Sequence, residues 1–314
     1  MWMGKRKLNK LLFMGTGEFA CGCLSGLYKA GHGVDMVITK PDSPQGRSGL
    51  LKPPPVKLWA QEHGIECLQP SQVNTGEGRR LVEELAPDLL VAAEFGSILK
   101  RPLLDLPALG AINVHGSLLP KLRGAAPVQW ALLSDFCQTG VTTIYMDEGI
   151  DTGDIILQRP VEILPDENYG RLLSKLAEIA GEILVETVDL IFAGRAPRKP
   201  QPENGVSYAP ALTAEDERII WDRSAREIVN HVRAFAPSPG AYALFRNNRI
   251  KLLNARTCEG QAAAGLVTGG RKQLMVGTEN GLVEILELQP AGKKPMGAAD
   301  FLNGYRVRAG ESFL

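Results

Sequence analysis

Residues 11–20, LLFMGTGEFA, contain the clearest indication of the fold of this chain. Four apolar residues, Leu11 to Met14, predict a buried strand, and the glycines that follow allow a tight turn. Helical periodicity then runs from Phe19 to Ala30, and a second apolar run from Val34 to Thr39 predicts another strand. The segment therefore predicts a strand, a crossover helix and a second, parallel strand.

The same alternation continues through residue 193. Further strands are predicted at Asp88–Ala93, Gly110–Val114 and Val141–Met146, and a long helix at Tyr169–Ala193. This pattern is typical of an α/β domain with a mostly parallel sheet and covering helices. In open sheets of this kind, ligands bind beyond the carboxyl ends of the strands. We therefore expect functional residues at those ends.

Two proline-rich segments interrupt this pattern. Residues 42–55, DSPQGRSGLLKPPP, contain four prolines and predict a long loop that is neither helix nor central strand. Residues 197–212, within a segment rich in proline and glycine, predict a linker between an α/β domain at 1–196 and a second domain at 213–314. In the second domain, a helix at Ser224–Phe235 and several short strands separated by turns predict a small β-barrel.

Composition and charge restrict the kinds of function that we expect of this chain. The formal net charge is zero, so a nucleic-acid partner requires a local basic patch. The five cysteines are odd in number and scattered, which predicts reduced thiols and neither a disulfide framework nor a metal site. The basic and apolar run at the start is too short for a secretory signal, and no later run has the length that crosses a bilayer. We therefore expect a cytoplasmic protein.

Two familiar motifs suggest other functions. Gly15-Thr-Gly-Glu-Phe-Ala20 has the spacing of a dinucleotide-binding turn, but the second strand ends in Thr39 and Lys40, without the acid that binds a ribose hydroxyl. Asp151-Thr-Gly153 is the triplet of aspartic proteases, but it occurs once here, whereas those proteases need two carboxylates. Neither function is favoured.

The candidate catalytic residues lie in or near three sequence blocks: NVHGSLLP at residues 113–120, RGAAP at 123–127 and DEGIDTGD at 147–154. Asn113 and His115 lie two residues apart at the end of a predicted strand, so their side chains project from the same face. Taken singly, an asparagine in a turn, a buried histidine or a capping Asp151 each has a structural explanation. Their combination at strand ends favours a catalytic site.

Together with GTGEFA, PDSPQGRSG and LQPAGKKPM, these blocks resemble the family of 10-formyltetrahydrofolate-dependent formyltransferases, in particular its methionyl-tRNA branch. The resemblance spans essentially the whole chain. It implies a Rossmann-like formyltransferase domain followed by an OB-like, tRNA-binding barrel, and a role in translation initiation. It also implies that Asn113, His115 and Asp151 form the catalytic centre and that no metal is needed. The walls of the folate pocket implied by the family match the following residues: Phe95, Gly96, Ser117, Leu118, Leu119 and Pro120.

The chemistry of formyl transfer agrees with that assignment. Transfer from the aryl amide nitrogen of the folate to an amine passes through a tetrahedral intermediate whose oxygen becomes negative. The Asn113 amide and the His115 ring can each donate a hydrogen bond to that oxygen, and one such donor is typically worth ~3 kcal/mol. Asp151 can help to move the proton from the attacking amine toward the departing nitrogen, directly or through a water. The chain departs from the family in having Phe95 where tyrosine is frequent and Gly17 where proline is frequent.

The resemblance implies the formyl donor but leaves the acceptor open, since relatives formylate a purine-pathway ribonucleotide, a sugar nucleotide or water. Two features favour methionyl-initiator tRNA. The loop with Arg47 and Lys52 resembles the insertion that enters the acceptor stem in the methionyl-tRNA branch, and the second domain carries basic residues that could bind phosphates if they share one face. The alternative for the loop is simple solvation. A rival hypothesis is a non-catalytic folate- or RNA-binding module, and a monomer is expected.

Overall fold

The structure is a computed structural model that describes residues 9–45, 49–270 and 272–314. It divides into two compact units. The first unit consists of the chain up to Pro127, together with Thr139–Glu162 and Leu173–Pro210. The second unit consists of Val128–Gln138, Ile163–Leu172 and Ala211–Leu314. The predicted domain boundaries at 196 and 213 stay a prediction, and most of the predicted linker belongs to the first unit.

Strands and helices alternate through the first part of the chain, as the sequence predicts. The elements up to residue 192 are β1 Leu11–Gly15, α1 Glu18–Lys29, β2 Met36–Ile38, β3 Ser43–Gln45, β4 Leu50–Lys52, α2 Pro55–Glu62, β5 Cys67–Leu68, α3 Gly76–Leu85, β6 Leu89–Ala93, α4 Arg101–Leu104, β7 Ala111–His115, α5 Pro127–Leu133, β8 Gln138–Tyr145, β9 Ile155–Glu162 and α6 Tyr169–Phe192. The elements after residue 192 are α7 Ala225–Phe235, β10 Tyr242–Phe245, β11 Asn248–Cys258, β12 Val267–Thr268, β13 Leu274–Gly277, β14 Leu282–Pro290, β15 Met296–Gly297 and α8 Ala298–Tyr305.

The first unit is built on a seven-stranded sheet of order β5-β2-β1-β6-β7-β8-β9. The five strands from β5 to β7 pair in parallel, and β8 runs antiparallel to β7. Every residue of β1 and β6 is buried, which is why these strands are continuous apolar runs rather than alternating ones. The α/β class and the mostly parallel, Rossmann-like sheet are therefore confirmed.

Helix α6 buries one apolar face, and its Thr187 is hydrogen-bonded to Thr143 of β8 at 2.9 Å. Leu176, Ala180, Leu184 and Val188 follow one another at four-residue intervals and are fully buried, as expected of an amphipathic helix on a sheet. Within the described ranges, no helix is both long enough and apolar enough to cross a bilayer.

The proline-rich segment contains a small hairpin where the sequence predicts only a loop. Strands β3 and β4 pair antiparallel, with Ser43 opposite Lys52, outside the main sheet. The base of the hairpin is tied to α2 because the Lys57 ammonium donates to the Asp42 carboxylate at 2.8 Å. That ion pair lowers the pKa of Asp42. The prediction was right to exclude a helix and a central strand, but it missed this pairing.

The second unit carries the antiparallel strands that the sequence predicts. Its sheet has the order β10-β11-β14-β13-β12, with β15 beside β14, and the long β11–β14 pair contains two register shifts that let the sheet curl. Helix α7 begins at a capping box, in which Ser224 and Glu227 satisfy each other's backbone N–H groups. This curled sheet confirms the expected β class of the second domain.

Candidate active site

Asn113 and His115 lie at the carboxyl end of β7, in the middle of the sheet. Asn113 is flanked by Ala92 of β6 and Ile144 of β8, so the strand is held on both sides. The two side chains share one face because successive residues of a strand alternate. His115 is buried, with 5% of its side chain exposed, and Asn113 is half-buried. The strand therefore presents an amide and an imidazole together at the edge where ligands bind in this class of sheet.

Asp151 reaches these two side chains from the loop between β8 and β9. Its Oδ1 accepts a hydrogen bond from Asn113 Nδ2 at 3.1 Å, and its Oδ2 lies 3.5 Å from His115 Nδ1. The carboxylate also accepts a hydrogen bond from the backbone N–H of Gly124 at 2.9 Å. Asp151 has a φ of +53°, a left-handed conformation that costs free energy in a residue other than glycine. The surrounding contacts maintain this conformation and aim the carboxylate at Asn113 and His115.

The orientation of the His115 ring follows from its second contact. Nε2 lies 2.9 Å from the carbonyl oxygen of Leu122, and since a carbonyl only accepts, Nε2 carries a hydrogen. The other nitrogen, Nδ1, faces the Asp151 carboxylate, so both ring nitrogens have partners here, and the expected hydrogen bond from His115 to the oxygen of the intermediate stays a prediction. Protonation of Nδ1 converts that contact into a charge-assisted hydrogen bond. The arrangement is that of a histidine and carboxylate pair able to hold a mobile proton.

The RGAAP block joins Asp151 to the rest of the site. Gly124 has a φ of +123°, and a Cβ there would lie 2.6 Å from the carbonyl oxygen of Ala209, so only glycine fits. Arg123 donates from Nη2 to the Oε1 atom of Gln201 at 2.7 Å. Gln201 in turn donates to the backbone carbonyl of Asp151 at 2.7 Å. Sequence reasoning assigned no role to Gln201, because it lies in a segment whose prolines indicated a linker.

One expected wall of the folate pocket, Ser117 to Pro120, follows directly after β7. Ser117 and Leu119 are buried, whereas Leu118 and Pro120 are half-buried. Thr142 Oγ1 donates to the carbonyl of Ser117 at 2.6 Å and accepts from the backbone N–H of Leu119 at 3.1 Å. This buried threonine, which sequence reasoning missed, fixes the backbone of the wall.

The other expected wall, Phe95 and Gly96, follows β6. Since β6 and β7 are neighbouring parallel strands, both walls begin at the same edge of the sheet as Asn113 and His115. Phe95 is buried, and its carbonyl accepts a hydrogen bond from Thr16 Oγ1 at 3.4 Å. Ile98, in the same loop, is an apolar side chain that is 63% exposed. An exposed isoleucine beside main-chain polar groups suits the flat ring system of a pterin.

The glycine turn before α1 is closed to a dinucleotide. The Glu94 carboxylate lies at the start of α1, near the backbone N–H groups of Phe19 and Ala20. It lies so close to Gly17 that a Cβ there would be 2.3 Å from Glu94 Oε2. Although much of Glu94 is exposed, desolvation of its carboxyl group at this contact raises its pKa. A carboxylate at this turn repels the negative charge of a pyrophosphate, which disfavours a dinucleotide there.

Of the two residues predicted to bind tRNA, the structure describes one. Arg47 lies outside the described residues. Lys52 is exposed on β4 of the hairpin. Among the residues that the structure describes, no group of three or more histidine, cysteine, aspartate or glutamate side chains is arranged to hold a metal ion.

Comparison with known proteins identifies the family. Residues 9–188 match the family described as Formyl transferase, and residues 211–306 match Formyl transferase, C-terminal domain. In solved structures, the chain is similar to HypX from Aquifex aeolicus in complex with tetrahydrofolic acid, with a TM-score of 0.66 at 18% identity over 98% of this chain and 49% of that one. It is also similar to WlaRD, a sugar 3N-formyl transferase, with a TM-score of 0.66 at 18% identity over 91% of this chain and 99% of that one. These structures support the fold alone.

Curated relatives match at much higher identity. The methionyl-tRNA formyltransferase of Geotalea daltonii is 45% identical over 96% of this chain and 97% of its own length. That of Symbiobacterium thermophilum is 44% identical over 97% of this chain and 95% of its own length. The two family matches and these nearly full-length relatives together show that the chain belongs to the formyl transferase family, within its methionyl-tRNA formyltransferase branch.

Proposed function

We propose that this chain transfers the formyl group of 10-formyltetrahydrofolate to the free amino group of methionyl-initiator tRNA, giving N-formylmethionyl-tRNA for translation initiation. The observation that carries the proposal is the joined cluster of Asn113, His115 and Asp151 at the carboxyl end of β7. The acceptor comes from the relatives named above, which match the chain over nearly its whole length.

The reaction requires these side chains to stabilise a negative oxygen, to accept a proton from the amine and to donate one to the folate nitrogen. Asn113 Nδ2 carries two hydrogens, and one of them is donated to Asp151, so the other can stabilise the negative oxygen of the tetrahedral intermediate. The amine of the methionyl group attacks the formyl carbon and must then lose a proton. The His115 and Asp151 pair accepts that proton and returns one to the folate nitrogen as the bond from that nitrogen to the formyl carbon breaks.

The folate pocket is the proposed role of the two walls at the edge of β6 and β7. The residues proposed to form it are Phe95, Gly96, Ser117, Leu118, Leu119 and Pro120. Apolar surface with a few main-chain polar groups is typical of a pocket for a small aromatic ligand. The formyl group would then lie near Asn113, because both walls begin at the edge of the sheet where Asn113 lies.

The tRNA contacts are proposed at two basic surfaces. One is the proline-rich segment, where the resemblance implies contacts from Arg47 and Lys52. In the second unit, Arg246 and Arg256 pair with Glu311 and Glu284, so these arginines are partly neutralised. A further cationic site is the turn after β14, where Lys293 and Lys294 are exposed. We propose that this turn binds tRNA phosphate, and that the enzyme works as a cytoplasmic monomer.

The test is a competition between acceptors. Purified protein is incubated with 10-formyltetrahydrofolate, charged initiator tRNA and glycinamide ribonucleotide, and the formylated products are separated and quantified. We expect the formyl group on the methionyl-tRNA. Formylation of the ribonucleotide instead would show that the acceptor is wrong, and no transfer to either would favour a binding module without catalysis.

A further inference from the structure

The segment between Lys199 and Ala209, here called the strap, runs along the catalytic loops rather than away from them. Lys199 exchanges two backbone hydrogen bonds with Ile155, at 2.8 and 3.0 Å. Further along, Arg123 donates to the carbonyl of Ser207 at 2.9 Å, and Ala209 donates to the carbonyl of Arg123 at 2.7 Å. The strap is therefore fixed at both ends to the loops that carry the site.

Gln201 in the middle of the strap uses both ends of its amide. Nε2 donates to the carbonyls of Asp151 and Gly153 at 2.7 and 2.9 Å. Oε1 accepts from Arg123 Nη2 at 2.7 Å and from Arg123 Nε at 3.2 Å. Only a carboxamide offers two donors and an acceptor in this geometry, since a carboxylate has no donors and an apolar side chain has neither.

These contacts fall on a residue with a left-handed backbone conformation. Asp151 is in a left-handed conformation, with a φ of +53°, and Gln201 bonds the carbonyl of that residue. Its carboxylate meets Asn113 and His115 only while this conformation persists. A second strap residue acts on the histidine, because Ser207 Oγ accepts from the backbone N–H of Leu122, whose carbonyl accepts from His115 Nε2.

We propose that Gln201 is a positioning residue for formyl transfer, which holds the Asp151 loop so that the carboxylate stays aligned with Asn113 and His115. This inference rests on the proposed function of the same site. Gln201 itself contacts no reacting atom. Misplacing a catalytic group by about 1 Å can cost roughly a hundredfold in rate. Loss of Gln201 should therefore lower kcat and leave folate binding intact, because its four hydrogen bonds go to Arg123, Asp151 and Gly153 and not to the proposed folate walls. The strap reaches the Ser117–Pro120 wall through a different residue, since the Ser207 N–H donates to the Pro120 carbonyl at 3.3 Å.

The experiment compares Gln201→Met and Gln201→Glu with wild type in the full-length protein. Gln201→Met removes all four hydrogen bonds, and Gln201→Glu keeps the acceptor for Arg123 but points an oxygen at the two carbonyls. We expect kcat to fall roughly tenfold to a hundredfold in both, with the affinity for 10-formyltetrahydrofolate and the thermal unfolding midpoint close to wild type. The matched control is Glu203→Gln, on an exposed residue of the same strap, which should behave as wild type.

A pH series separates positioning from a general loss of structure. As the pH falls, the carboxyl group introduced by Gln201→Glu gains a proton and regains one donor, so the activity ratio of this variant to wild type should rise. The ratio for Gln201→Met should stay flat. These two trends, with folate affinity unchanged, support the inference.

Three results would overturn it. One is wild-type kcat in Gln201→Met, another is a parallel loss of kcat and folate affinity in both variants, and the third is a ratio for Gln201→Glu that does not respond to pH. Failure of the proposed function is distinguishable, because it appears in the wild-type protein. If wild type formylates glycinamide ribonucleotide and not methionyl-tRNA, the acceptor is wrong, and the same kcat comparison on that acceptor decides the role of Gln201.

Discussion

Replacement of Asp151 by asparagine is the sharpest single test of the cluster, because it changes charge and donor pattern with almost no change in shape. The carboxylate accepts from Asn113 Nδ2 at 3.1 Å and from the Gly124 N–H at 2.9 Å, and its Oδ2 also faces His115 Nδ1 at 3.5 Å. The introduced amide has one acceptor and one donor group. In either orientation, its donor group must face a group that also donates.

The expected fall in the rate of formyl transfer follows from two losses. An unsatisfied donor in a buried site costs about 1–3 kcal/mol, and each 1.4 kcal/mol on the barrier is about tenfold in rate. Removing an acid or base group typically costs about a hundredfold or more. We therefore expect Asp151→Asn to lower single-turnover formyl transfer by at least about a hundredfold.

The assay mixes enzyme saturated with 10-formyltetrahydrofolate with charged initiator tRNA and follows the appearance of formylmethionine. Asp105→Asn is the matched control, since that carboxylate is exposed and makes only a surface ion pair with Arg101 at 3.4 Å. The control should retain full activity. Wild-type rates in a folded Asp151→Asn protein would remove Asp151 from the mechanism.

Three further predictions concern the two substrates. Thr142→Val removes the hydroxyl that bonds Ser117 and Leu119, so we expect the KM for 10-formyltetrahydrofolate to rise about tenfold with a smaller effect on kcat, and an unchanged KM would separate the threonine from the pocket. Arg47→Ala should lower activity on initiator tRNA about tenfold or more with folate affinity unchanged, whereas loss of folate affinity would make the segment a lid. In the double variant Lys293→Ala, Lys294→Ala, the slope of log tRNA affinity against log salt concentration should become shallower than in the control Lys29→Ala, by the equivalent of about two phosphate contacts. Equal slopes in the two proteins would exclude this turn as a tRNA-binding site.

Sequence patterns predicted the strands that hold the site because those strands are buried on both faces. Leu11 to Met14 and Leu89 to Ala93 are uninterrupted apolar runs, and the period-two rule correctly placed Asn113 and His115 on one face of β7. Strand β9, Ile155–Glu162, was not predicted, since Pro160 interrupts it and a proline inside a run argues against a strand. The hairpin β3–β4 was not predicted either, because three-residue strands that include a proline have no periodic signal.

Sequence patterns could not predict the contacts that complete the site. Asp151 meets Asn113 across 38 residues of sequence, and Gln201 meets Asp151 across 50. No local propensity encodes a pairing at that separation. Family resemblance supplied the first pairing as an expectation. It supplied nothing for Gln201, where the prolines of the segment favoured a linker although its backbone is hydrogen-bonded to Ile155 and Arg123.

The proposed transfer of a formyl group to methionyl-tRNA depends on the amide and the carboxylate-histidine pair at the end of β7. It is tested most directly by measuring N-formylmethionine released from initiator tRNA after incubation with wild type and with Asn113→Ala, at matched occupancy of 10-formyltetrahydrofolate. We predict formylation by wild type and a loss of at least about a hundredfold in the variant, because one oxyanion donor is removed. Equal formylation by both proteins, or none by wild type, would contradict the account.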